Sequence, residues 1–422
     1  MWIGPGNRLG YRFSLFKSSI VALQHHAFQL PSDILRPVCR STALSPSVEI
    51  TIVADEPHHF YNRMSIGRVI YNKTSMEGMY LVPDTWYQDN SVSVWLNTVA
   101  VSIDREKKSV QLGTGETLEY DRLVMATGAK AATPAPAFLS HDNAFVLRTA
   151  VDAQAVRAAV QRIHARHAIV IGGGVLGIEA AEAMTHLGMR ATILHRGKRL
   201  MDRQIDAGGA QLLAGYLSHQ GIDTITECKV AEYQGNGRLR AVRVENGRVL
   251  EADIFIACTG IAPNVEAARD AGLNIGRGIV VDACMRTSDP DIFAVGDVAE
   301  VGKGAAGLWP VAVDQGRIAV SAILGAEIQA SEPRIVLQLK SDGIDLRSFG
   351  TIEPAPDDCE VLTATGGGSI WWRLVLRGSS VVGAVFVGPR GSSKDLTKLL
   401  QSGADFTDFL PALRQGELTL TK

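Results

Sequence analysis

Short apolar runs that end on glycine or on an acid recur along this chain. Val48, Ile50, Ile52 and Val53 lead into Asp55 and Glu56, and Ala168–Ile171 leads into "GGGVLG". "RLVMATG" and "IFIACTG" both end in Thr-Gly, and "IFAVGD" ends in Gly-Asp. Runs of this kind, apolar on consecutive positions, predict strands buried on both faces of a parallel sheet. Helical patterns stand between them: one opens at residue 150, one runs on through Ile178 to Met184, and one spans 307–324 with Pro310 in its first turn. Alternation of period two is confined to other places. "VAVSID" (99–104) places Val99, Val101 and Ile103 on one face, and "KSVQLGTGETLEYD" reads as a hairpin around Gly-Thr-Gly. Near the end, "SIWWRLVLRG" and "VVGAVFVG" read as hairpin strands, followed by the helix "SSKDLTKLLQSG".

The strongest chemical signal is "HAIVIGGGVLGIEAAEAM" (167–184), where Gly172, Gly174 and Gly177 complete G-x-G-x-x-G between a strand and a helix. The glycines allow the tight turn, the close approach of a pyrophosphate, and tight packing of helix on strand; the helix N-terminus then faces the phosphates. The next strand, "RATILHR", ends at His195 and Arg196, where an NAD site carries an acid for the ribose 2′-hydroxyl. Lys198 and Arg199 follow. Loss of the carboxylate removes repulsion of a 2′-phosphate, so NADPH, or either nucleotide, is expected. The acids at 55 and 56 occupy the corresponding place after an earlier strand, which calls for a first strand and a second glycine loop upstream.

Lys and Arg number 42 against 44 Asp and Glu, a net charge of −2 over 422 residues, which argues against a nucleic-acid footprint or a polybasic membrane surface. No apolar run is long enough to span a bilayer. The cysteines (Cys39, Cys228, Cys258, Cys284 and Cys359) form no C-x-x-C pair, so neither a zinc site nor a redox dithiol is expected, and a reducing cytoplasm suits them. The pairs His25–His26 and His58–His59 have no matched ligand set, and no metal site is expected.

"EPHHFYNR", "ATGAK", "VIGGGVLGIEAA", "CTGIAPN" and "IFAVGDVAE", in that order, resemble the two-dinucleotide flavoprotein reductases, close to ferredoxin and rubredoxin reductases and the reductase portion of NAD(P)H nitrite reductases. The resemblance covers residues 48–330. It implies an α/β fold of two Rossmann-like domains (three-layer ββα) and a small α+β C-terminal domain. Residues 48–149 and 255–330 would form a discontinuous FAD-binding domain, 150–254 an NAD(P)H-binding domain, and 331–422 an interface domain that covers the flavin or forms a homodimer contact. By the same resemblance, Arg63 and Lys130 would lie near the FAD phosphates or ring, and Thr127 and Gly128 near its adenosine side. Asp297 would hold the ribityl chain, and Trp309 and Gln315 would sit near the isoalloxazine. Gly260 stands in the second Thr-Gly motif, and Glu179 would be the catalytic glutamate beside nicotinamide and flavin. The implied activity is hydride transfer from NAD(P)H to FAD, then electron delivery to an iron–sulfur or rubredoxin-type protein or a nitrite-reductase module. The alternative is a flavin-deficient relative that binds a nicotinamide nucleotide or a partner without turnover.

Residues 1–47 stand apart. They read as an atypical leader: without clear periodicity, interrupted by prolines, and free of acids before Asp33. Such a start is compatible with a transit peptide, a misassigned or frame-shifted beginning, or a disordered leader. The sole candidate for the missing loop is "WIGPGNRLG", with Gly4, Gly6 and Gly10, which has too few residues ahead of it for a strand and contains Pro5. The expectation is therefore a first sheet without its central strand, and FAD bound weakly or not at all.

Overall fold

A computed structural model describes residues 18–24, 48–302, 307–326, 334–339, 341, 343–355 and 358–418. In chain order, the strands of its three main sheets begin with β1 (Ser18–Gln24), β2 (Val48–Ala54), β3 (Val92–Trp95), β4 (Arg122–Ala126) and β5 (Ala144–Val146). They continue with β6 (His167–Ile171), β7 (Arg190–Leu194), β8 (Ile222–Ile225), β9 (Ile254–Ala257) and β10 (Ile292–Ala294). The last five are β11 (Val336–Leu339), β12 (Ile344–Gly350), β13 (Glu360–Gly366), β14 (Ile370–Arg377) and β15 (Ser380–Pro389). The helices that matter below are α1 (Ala150–Ile163), α2 (Val175–His186), α3 (Ala207–His219), α4 (Trp309–Ile323) and α5 (Lys394–Ser402).

The first sheet has the order β10-β4-β1-β2-β3, and every pairing in it is parallel. Its strands are apolar because both faces are covered: Ile50, Ile52, Val53, Leu123, Val124, Met125 and Phe293 are all buried in one core. The second sheet, β8-β7-β6-β9-β5, is also all parallel, and its strands Ala168–Ile171 and Ile254–Ala257 are buried throughout. Both sheets have the doubly wound pattern, in which ligands sit beyond the carboxyl ends of the strands where the strand order reverses. The third sheet, β11-β12-β15-β14-β13, is antiparallel and packs on α5 and against α3.

The expected gap in the first sheet is not there. Ser18–Gln24 pairs parallel with β2 along its whole length and with β4 on its other side, which makes it the central strand. A strand in this place satisfies backbone donors and acceptors that β2 and β4 would otherwise leave open. The glycine loop candidate at Gly4, Gly6 and Gly10 lies outside the described residues.

The chain crosses between the first two units twice. The crossing segments, Ala129–Ala131 and Ile261–Pro263, pair antiparallel, and Asn264 locks them to the end of β4: its amide donates to the Thr127 carbonyl at 2.8 Å, and its own carbonyl accepts from the Thr127 hydroxyl at 2.9 Å. The C-terminal sheet is fastened to the second unit. The indole of Trp371 lies over Gly208, where a Cβ would be 2.3 Å from the ring, and donates to Asp206 at 3.0 Å. Among the described residues no helix is long and apolar enough to cross a membrane, and no group of three or more ligating side chains could hold a metal.

Candidate functional site

The second unit builds the expected strand, glycine turn and helix. β6 ends at Ile171; Gly172 then takes φ +119°, and a Cβ there would stand 2.1 Å from the Cys258 carbonyl oxygen at the end of β9. Gly177 packs α2 on the turn so closely that a Cβ would be 1.8 Å from the Gly172 oxygen. Those two glycines are required by the protein itself. Gly174 is not: nothing lies within 4 Å of where its Cβ would be, and its backbone is extended at φ −86°, ψ −176°. Gly174 is also the N-cap of α2, and no side chain caps that helix. By contrast, α1 is closed by a Thr149–Asp152 capping box and α3 by Asp206. A helix N-terminus with no side-chain cap, and with open space beside its N-cap glycine, leaves first-turn amides for an anion, so a dinucleotide pyrophosphate fits the residues present.

His195 lies inside this loop rather than out in solvent. Its Nδ1 accepts from the Gly173 amide at 3.1 Å, and its buried Nε2 faces Asp202 Oδ2 at 3.8 Å without a hydrogen bond. The ring lies beside Gly173 and Gly197: a Cβ on Gly197 would stand 2.7 Å from Nε2, and one on Gly173 would meet Leu200 at 2.4 Å and the ring at 3.0 Å. Arg196 and Lys198 are exposed, whereas Arg199 is held by the Ile205 carbonyl and by Glu353 at 2.5 Å. Arg196, directly after His195, is thus an exposed cation at the mouth of the loop, with Lys198 beside it. Glu179 follows in α2, half-buried. Burial, reinforced by the Glu179 charge, pushes the Cys258 thiol from 9.0 up to about 12. Gly260, beyond Cys258, also has positive φ (+118°) and open space around it.

In the first unit, Glu56 rather than Asp55 is the buried acid at the end of β2. It accepts from the Tyr61 hydroxyl at 2.7 Å and pairs with Arg63. Burial pushes the Tyr61 hydroxyl well above its ordinary pKa, which keeps it a donor, and the hydroxyl in turn accepts from the Ala150 amide at 3.3 Å. Arg63 donates to the Arg148 carbonyl at 2.9 Å, and the Arg148 guanidinium pairs with buried Asp297. Two ion pairs, linked through the Arg148 backbone carbonyl, thus connect Glu56 to Asp297. Arg148 was missed in the sequence; the only local hint is its place directly before the Thr149 cap.

The remaining predicted residues are placed as follows. Thr127 and Gly128 (φ +60°) end β4, bonded to Asn264. Lys130 reaches Glu266 at 2.7 Å on the surface and lines a cleft of about 690 Å³ together with Asp55, Glu56 and Arg148. Gln315 is buried in α4 and accepts from the Gly296 amide at 2.7 Å, next to Asp297; Trp309 begins the same helix, which also starts without a side-chain cap. Asp55, Glu56 and Arg63 also line a small cavity of about 20 Å³, room for about one water, near the buried, unpartnered atoms His59 Nδ1, Asn62 Oδ1 and Arg63 Nε.

A family model described as pyridine nucleotide-disulphide oxidoreductase matches residues 38–316, and the rubredoxin NAD+ reductase C-terminal domain matches residues 336–404. The chain belongs to the pyridine nucleotide-disulphide oxidoreductase family. The members it resembles are NAD(P)H oxidoreductases. Nitrite reductase [NAD(P)H] of Bacillus subtilis is 31% identical over 362 residues, 85% of this chain but 45% of that protein. This chain therefore spans less than half of that relative. Rubredoxin-NAD(+) reductase of Pseudomonas putida is 32% identical over 302 residues, 69% of this chain and 77% of its own length. The crystal structure of NADH:rubredoxin oxidoreductase from Clostridium acetobutylicum superposes with a TM-score of 0.72 at 26% identity, covering 96% of this chain and 97% of that one. These relatives are named for NAD(P)H or NAD(+), and the resemblance to flavoprotein reductases implies FAD beside it. For NAD(P)H the residues fit. For FAD, residues 25–47, between β1 and β2, contain no glycine, so this stretch lacks the residue types of the G-x-G-x-x-G loop that takes a pyrophosphate, and the residues present do not fit a tightly held FAD.

Proposed function

We propose that this chain is the NAD(P)H-binding reductase module of an electron-transfer system, taking the nucleotide on the β6–α2 unit. Its electrons would go to an iron–sulfur protein, a rubredoxin-type protein or a nitrite-reductase module. The observation that carries this reading is Gly174: a bare, extended N-cap over uncapped amides, with no packing reason to lack a side chain. Gly172 and Gly177 supply the turn, Arg196 attracts the 2′-phosphate of NADPH, and Glu179, just over one turn into α2, borders the nicotinamide. A second reading, a relative that binds nucleotide or partner without turnover, is favoured by the glycine-free stretch after β1.

What supports the acceptor class is the kind of relative matched, together with the absence of a C-x-x-C dithiol from the sequence. The test is calorimetric titration of the purified chain with NADPH and with NADH, followed by oxidation of the bound nucleotide in the presence of ferredoxin or rubredoxin with FAD added. Saturable binding that vanishes in Gly174→Val is expected. A folded chain with no affinity for either nucleotide would overturn the proposal.

A further inference from the structure

The two parallel sheets repeat one another closely enough to be compared residue by residue. Gln24 at the end of β1 pairs with Ala54 and Ala126. Ile171 at the end of β6 pairs with Leu194 and Ala257. In this shared register His25 corresponds to Gly172, Asp55 to His195 and Thr127 to Cys258. The positions of Gly174 and Gly177 correspond to Ala27 and Leu30.

In the second unit the first position has φ +119° and leaves 2.1 Å between a built Cβ and the Cys258 oxygen, and the third leaves 1.8 Å to the Gly172 oxygen. A histidine and a leucine cannot adopt that turn. No shift of alignment recovers it, because residues 25–47 lack any glycine, and Pro31 and Pro37 fall in the stretch that corresponds to α2. The family match itself begins at residue 38, beyond β1.

The acids and cations that would hold the flavin meanwhile hold one another. Glu56 is bonded to Tyr61 and Arg63, Asp297 to Arg148, Thr127 to Asn264, and Lys130 to Glu266. These contacts are already made without a ligand, so a ligand must displace them to enter, although His59 Nδ1, Asn62 Oδ1 and Arg63 Nε nearby are buried without a partner.

We infer that the first unit has kept its strand and lost its phosphate loop, so that FAD is an exchangeable ligand of this chain and not a resident group. The inference rests on the reading of β6–α2 as the NAD(P)H site, since it takes that unit as the working standard. Losing some three charge-assisted backbone bonds, at roughly tenfold each, lowers FAD affinity about a thousandfold relative to an intact loop.

The full chain is saturated with FAD and desalted, and the flavin released on denaturation is measured per chain, beside calorimetric titration with NADPH. The expected result is NADPH binding with only a trace of retained flavin. The variant His25→Gly/Ala27→Gly/Leu30→Gly/Pro31→Ala, which restores G-x-G-x-x-G after β1, should retain flavin at least tenfold better. Near-stoichiometric FAD surviving desalting in the unaltered chain would overturn the inference. So would a folded restored variant that retains no more flavin than the parent. If the restored variant does not fold, the parent's desalting result decides alone. Failure to bind NADPH with flavin absent would instead count against the proposed function.

Discussion

Gly174→Val separates ligand binding from folding more cleanly than any other change at the β6–α2 turn. The wild-type backbone there is extended (φ −86°, ψ −176°), a conformation valine adopts freely, and the nearest space is open for 4 Å. The cost to stability is confined to a poorer N-cap, about 1 kcal/mol, or a fall in Tm of about 2–4 °C. The isopropyl group, however, projects over the first-turn amides of α2. Two charge-assisted bonds to a phosphate at roughly 1.5–3 kcal/mol each would be lost, which weakens nucleotide binding by at least about a hundredfold. Gly177→Ala provides the contrast: its Cβ would meet the Gly172 oxygen at 1.8 Å, so stability and binding should fall together, by an overpacking cost of about 1–3 kcal/mol or more. Thermal unfolding and calorimetric titration of both variants check the argument. A folded Gly174→Val protein with wild-type nucleotide affinity would show that the open space above α2 holds no phosphate.

The remaining predictions concern neighbouring groups. Arg196→Glu should lower affinity for NADPH about tenfold while sparing NADH, and His195→Gln, whose amide oxygen can still accept from Gly173, should leave both nearly unchanged; titrations in which the NADPH:NADH ratio does not move would exclude Arg196 as the phosphate contact. Arg148→Leu strands the buried Asp297 carboxylate and should cost about 3–5 kcal/mol in urea unfolding, most of it recovered in Arg148→Leu/Asp297→Leu; no recovery in the double variant would show that Arg148 acts elsewhere. The Cys258 thiol, raised from 9.0 to about 12 by burial and then by Glu179, favours the native state fully at neutral pH. The unfolded thiol ionises first, so this contribution should drain away as pH rises from about 9 toward 12. Cys258→Ala should accordingly flatten the loss of stability in that window, and parallel pH–stability curves for the two proteins would refute the assignment.

The strand–turn–helix of the second unit was readable in the sequence because its requirements are local. A buried strand, a turn that excludes Cβ at two positions and a helix start all fall within residues 167–184, and each leaves a residue-type signature. The Thr-Gly and Gly-Asp strand ends were readable for the same reason. The central strand of the first sheet was not. "SSIVALQ" is too short and too plain to announce itself, and with no glycine after it nothing in the neighbouring sequence marks it; what makes it a strand is the pair of open parallel edges on β2 and β4, which come from residues 48–54 and 122–126. The choice of Glu56 over Asp55 as the buried acid, and the recruitment of Arg148 to an aspartate 149 positions away, are likewise tertiary: both follow from which side chains the crossing segments bring under cover, where a buried charge must find its opposite. His195 shows the division most plainly. Its residue type suggested a cation for a phosphate; packing beside Gly173 and Gly197 makes its Nδ1 an acceptor for the loop amide, while Arg196 stays exposed. Composition determines which groups can carry charge or bond; the fold, by burying some and exposing others, decides which of them are free to meet a ligand.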